Sequence, residues 1–151
     1  MESTLLPDDL VNSPSYQLWL ASNAWVRWLK KALVPFEITH VQFAVLAAIA
    51  RLSETQPHVS QAQVSRFTVM DENMISQVIR HLELRGLVAR SLDPNDRRAR
   101  VLILSSDGKK LCDDARREVN RAAGKFFKEF SAEERVRLAQ TLHSLAGQDL
   151  G

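Results

Sequence analysis

The chain has 151 residues, 45% hydrophobic and 25% charged, with a net charge of +2 and only five Gly and five Pro. This is ordinary globular composition, long enough for one sizeable core, and it excludes a fibrous or Pro/Gly-rich disordered chain. A lone Cys112 excludes an intrachain disulfide and a cysteine-based zinc site, and the acidic start lacks the pattern of a signal peptide. The longest apolar run, Phe43–Ala50, is far too short for a membrane span, so a cytoplasmic protein without membrane contact is expected.

Residues 1–14, with two prolines, read as an N-terminal arm. From Ser15 an apolar stripe of helical spacing runs through Leu18, Trp25 and Leu29 to a basic last turn and a stop at Pro35. Thr39 caps a second helix, His40–Ser53, apolar nearly all round and therefore expected in the middle of the core. Ser60 caps a short helix, 61–67, and Asp71 caps the next, 72–85, with Gly86 as its stop. Two short helices with a brief link make a helix-turn-helix.

After Gly86 the period switches to two. Residues 87–92 and 99–104 read as strands joined by the turn residues Asp93-Pro94-Asn95-Asp96, a hairpin with a basic tip. A long helix follows over 107–130. Ser131, with Glu134 three residues on, forms a capping box that opens a last helix, 132–146, stopped by Gly147.

The charge is unevenly spread. Residues 60–110 carry nine Lys/Arg against six Asp/Glu, an excess of +3 over a whole-chain charge of +2. Arg97, Arg98 and Arg100 concentrate it at the hairpin tip. Such a cluster attracts phosphate, and it is also what a solvated turn looks like.

Three segments carry a family resemblance: Gln42-Phe43-Ala44-Val45-Leu46, Leu82-Glu83-Leu84-Arg85-Gly86-Leu87-Val88-Ala89-Arg90, and Asp93-Pro94-Asn95-Asp96-Arg97-Arg98-Ala99-Arg100. With the helix-turn-helix, these resemble the MarR family of bacterial regulators from about Phe36 to Leu111. The Asp-Arg-Arg wing at this distance from the helix end is the specific part. The resemblance implies a mainly α fold with a small β-hairpin wing. Residues 36–104 would form the winged helix-turn-helix, and 15–35 with 105–151 the dimerisation helices, all in one compact domain. It further implies a homodimer on palindromic double-stranded DNA, acting as a repressor released by a small aromatic or phenolic ligand. The tryptophans of the first helix and Phe126, Phe127 and Phe130 support a dimer independently, since so small a core cannot bury them all.

Asn73, Met74, Ser76, Gln77 and Arg80 are the candidate DNA-facing residues of the second helix, where Asn or Gln can read adenine. The alternative for them is a solvated helix face. Arg97, Arg98 and Arg100 of the wing can enter a narrow minor groove, and Arg66 is a phosphate candidate. The family pattern implies that Asp96 pairs with a wing arginine, while a role in shaping the turn is the simpler reading. The sequence departs from the family at Glu72 and Gln77, where basic or small residues are usual. Tyr16, Trp19, Trp25, Trp28, Arg27, His40 and Phe43 are candidates for a ligand pocket, although a tryptophan stripe suits a core or an interface as well.

No phosphate loop, nucleophile elbow or metal-ligand set is present, so neither an enzyme nor a cofactor is expected. Cys112, on the long helix, reads as a packing residue. The competing function is a dimeric winged-helix module that docks on another protein and does not bind DNA on its own.

Overall fold

The computed structural model describes residues 7–148, with side chains from Leu10 onward. Its elements run α1 Pro7–Asn12, α2 Pro14–Leu33, a 3-10 turn Val34–Phe36, α3 His40–Ser53, α4 Gln61–Thr68, α5 Glu72–Leu84, β1 Val88–Asp93, β2 Asp96–Leu104, α6 Ser106–Phe126 and α7 Ala132–Ala146. This is the mainly helical winged helix-turn-helix expected from the sequence.

The caps explain most boundaries. Thr39, Ser60 and Ser131 each accept the N–H three residues on, while Gln42, Gln63 and Glu134 reach back to the cap N–H. These reciprocal boxes satisfy helix-end donors that would otherwise lack partners. Asp71 accepts from the N–H groups of Asn73 and Met74. Gly86 takes φ +70 after α5, a conformation nearly free for glycine.

α3 is the central helix, packed by α2, α4, α5, α6 and β2. Its Val45, Leu46 and Ile49 are fully buried, together with Leu33, Val64, Ile75, Ile79, Leu82 and Leu102. Each such side chain contributes about 1.5–3 kcal/mol through loss of apolar surface from water.

Four expectations need correction. Residues 7–12 of the expected arm form a short helix, α1, while residues 1–6 lie outside the described residues. Ser13 makes the junction: its Oγ donates to the Leu10 carbonyl at 2.7 Å and accepts the Tyr16 N–H at 3.2 Å, so α2 starts at Pro14. The hairpin is longer than expected, because β2 begins at Asp96, which leaves Pro94 and Asn95 as the turn. A third segment also joins the sheet edge. Ser60 bridges Val101, and the Leu102 N–H donates to the Val59 carbonyl at 2.8 Å. Finally, α6 ends at Phe126 and not at Phe130. Arg135 of α7 reaches back, with Nη2 2.6 Å from the Phe127 carbonyl and Nε 3.1 Å from the Phe130 carbonyl. Those bonds reward a turn over a continued helix.

α7 itself has no fully buried residue. Among the described residues no single helix is long and apolar enough to cross a membrane. The pair Pro14–Phe36 and His40–Ser53 reaches that composition only with an 80° bend.

Candidate nucleic-acid interface

The turn between α4 and α5 is built from inside. Ser65, the one buried polar residue among those described, donates its hydroxyl to the Met70 carbonyl, whose own N–H returns to the Ser65 carbonyl at 3.1 Å. Val69 is forced to φ +55. That is uncommon for a β-branched residue and marks a tightly specified corner. From this corner α5 presents two faces. Ile75, Ile79 and Leu82 are buried, while Asn73, Met74, Gln77 and Arg80 are exposed and Ser76 is half-buried. Arg80 Nη2 lies 3.4 Å from Ser76 Oγ, so these two candidates share one patch.

The wing follows α5 directly, and its first strand packs against that helix. Asp93 Oδ1 accepts the Asn95 N–H at 2.8 Å and Asp96 Oδ1 accepts the Arg98 N–H at 2.9 Å. One oxygen of each turn carboxylate thus bonds the backbone. Arg97, Arg98 and Arg100 are exposed, and among the described residues neither they nor Arg66 form an ion pair. Local positive potential therefore survives on a nearly neutral chain.

The seven candidate pocket residues do not converge on one cavity. Trp25 lines an apolar hollow of about 380 Å³ with Leu18, Phe126, Phe127, Leu138 and Leu142. Its ring centroid is 5.3 Å from that of Phe126. Arg27 and Trp28 line another, also about 380 Å³, with Ala24 and Lys31. Trp28 continues into a groove of about 340 Å³ toward Lys125 and Arg121 of α6. His40 lines a fourth opening with Lys30 and Glu37. Burial, and then Lys30, holds its imidazole below the usual range, and its buried Nδ1 has no hydrogen-bond partner. Tyr16 and Trp19 stack on one another at 5.8 Å, and Phe43 packs against the core.

The family model described as MarR family matches residues 36–99, the span from the end of α2 to the wing. Over this span, a little under half of its length, the chain is similar to the MarR family. A curated relative, the HTH-type transcriptional regulator YdcH of Bacillus subtilis strain 168, is 36% identical over 96 residues. That match covers 64% of this chain and 65% of YdcH, a little under two-thirds of the relative's length. CouR of Rhodococcus jostii RHA1, in a crystal structure with p-coumaroyl-CoA, is 29% identical with a TM-score of 0.81. It covers 94% of this chain and 97% of its own. BpsR of Bordetella bronchiseptica, described for regulation of its DNA binding by 6-hydroxynicotinic acid, is 26% identical with a TM-score of 0.82, covering 92% and 96%.

Two features of this chain depart from, or add to, the sequence reading. The expected pairing of Asp96 with a wing arginine is absent among the described ion pairs, because the N–H two residues away is nearer and already oriented. Sequence reasoning missed the tie between wing and helix. Arg90 of β1 donates Nε to Glu83 Oε1 at 2.6 Å and Nη2 to Oε2 at 2.8 Å. This two-pronged bond, above all its hydrogen bonding, raises the Arg90 pKa further. The signal was available: both residues lie in one nine-residue stretch, on either side of a glycine that reverses the chain. Cys112 is buried, and burial with Asp113 pushes its thiol up, as a packing residue requires. Among the described residues no group of three His, Cys, Asp or Glu is placed to hold a metal.

Proposed function

We propose that this chain is a cytoplasmic transcriptional regulator that binds a palindromic DNA operator as a homodimer and represses until a small ligand releases it. α5 enters the major groove with Asn73, Met74, Ser76, Gln77 and Arg80. The wing lays Arg97 and Arg98 along the flanking minor groove, and Arg66 and Arg100 contact phosphate. The observation that carries this reading is the combination of an exposed polar face on α5 with the exposed Arg97, Arg98 and Arg100, which form no ion pair among the described residues. The second copy is argued from α7, which has no fully buried residue, and from Leu18, Trp19, Leu20, Leu142 and Leu145, all exposed. A two-fold mate offers these apolar side chains the burial that the single chain does not.

The ligand reading rests on the hollows around α2. Trp28 offers a stacking face, and Arg27, Lys31 and Lys125 lie beside it without ion pairs among the described residues. An aromatic carboxylate suits that combination. The ligands named for CouR and BpsR are likewise aromatic acids or their thioester.

The test is selection of bound fragments from a random DNA pool by purified protein, with affinity followed against salt. Recovery of a palindrome with half-sites about one helical turn apart and a steep salt slope is expected. If nothing is enriched and binding stays weak at low salt, the reading fails and the winged helix serves a protein partner.

A further inference from the structure

The C-terminal end of α5 is held from three directions. Glu83 grips Arg90 of the wing. Ser105, the cap of α6, donates its hydroxyl to the Gly86 carbonyl at 2.6 Å and its N–H to the Leu87 carbonyl at 3.0 Å. Both of these anchors lie within the winged helix and its exit. The third does not. Arg85 Nη1 donates to the Glu37 carbonyl at 2.7 Å, and Nη2 lies 3.5 Å from the Phe36 carbonyl. This contact spans 48 residues and lands on the link between α2 and α3.

That link is an unusual target. Glu37 sits in the left-handed region, at φ 53 and ψ 36. A non-glycine residue holds such a conformation where its surroundings over-determine it. The carbonyls at the end of the 3-10 turn need donors, and a guanidinium supplies two in a fixed fork with a permanent charge. The bridge borders a hollow of about 500 Å³ lined by Glu37, Thr39, Gln42, His81, Leu84 and Arg85.

We propose that Arg85 is a positioning residue: its grip on residues 36 and 37 fixes the orientation of the recognition helix relative to α2. Its effect on DNA rests on the homodimer reading above. There α2 belongs to the paired side of the molecule, so Arg85 sets the distance between the two recognition helices and thus the half-site spacing the dimer accepts.

The first arm of the test needs no DNA. Spin labels go on Lys31→Cys in α2 and Glu72→Cys in α5 of one chain, with buried Cys112 left in place, and a large excess of unlabelled protein isolates the distance within one protomer. Arg85→Met keeps length and removes every donor. The distance distribution is expected to widen roughly twofold, as for a locally released contact; an unchanged width overturns the proposal. Should Arg85→Met not fold, Arg85→Lys, which cannot form the fork, is judged by the same criterion. The second arm compares the selected operator with one whose half-sites are shifted by a base pair. Arg85→Met is expected to lose roughly tenfold of the discrimination between them, the scale of one charge-assisted hydrogen bond, while dimerisation and non-specific binding persist. Undiminished discrimination overturns it. If wild-type protein selects no spaced operator, the DNA reading fails and the spin-label arm alone decides the role of Arg85.

Discussion

The basic residues of the wing and those of α6 are the same chemical types with opposite fates. On α6, Arg116 pairs with Asp113, Arg117 and Lys110 with Asp114, and Arg121 with Glu118, all at spacings of three or four. A helix brings such neighbours together automatically, so its surface neutralises itself. On the wing, Asp93 and Asp96 are as close in sequence to Arg97 and Arg98, yet each accepts a backbone N–H and forms no ion pair among the described residues. Secondary structure, more than composition, decides which cations remain available to a partner. A chain of net charge +2 can thus hold a local anion-binding edge.

The comparison can be broken at its strong end. Replacing Arg97 and Arg98 together with Ala is expected to cost roughly 100-fold in affinity for every DNA sequence. Because a dimer carries two wings, the slope against log salt should fall by about four. Titrations at several salt concentrations would show both effects, and sedimentation should show the dimer unchanged. A smaller, selective effect is expected from Gln77→Ala, with discrimination altered at one position per half-site by roughly 1–3 kcal/mol. A uniform loss in a competition assay against single-base variants would instead make Gln77 a backbone contact.

Sharper still is Glu83→Gln, which weakens the tie between wing and helix without touching the exposed arginines. It should cost about 1 kcal/mol in thermal unfolding, since the pair is two-pronged and only partly exposed. The smallest effect tests α6. Arg117, and then Lys110, hold the Asp114 carboxyl below its ordinary value of 3.8. A carboxylate with a lowered folded pKa contributes stability above about 3.8 that is lost as pH falls through the folded value. Asp114→Asn should therefore flatten only the acid end of the stability profile and leave DNA binding unaltered.

Most of the fold was legible because its boundaries are written in single residues. Thr39, Ser60, Asp71 and Ser131 each cap where the sequence placed them, and Gly86 stops α5 in the left-handed conformation. What escaped reading was short or remote. Six residues of α1 are too few for a periodicity to show. The end of α6 depends on Arg135 in the next helix, and no local pattern distinguishes Phe126 from Phe130 as the last turn. The exposed face of α5 was readable from its alternation with Ile75, Ile79 and Leu82. The grip of Arg85 on residues 36 and 37 was not, since nothing in either segment announces the other.

Two glycines of α6 show what the close approach of that helix to the wing entails. A methyl group at Gly124 would meet open space, while one at Gly108 would lie 2.0 Å from the Leu87 carbonyl oxygen. In a survey of every single substitution, position 124 should accept most side chains and position 108 almost none. The joint between the start of α6 and the chain leaving α5 therefore has no room for even a methyl group, while the far end of the same helix is open.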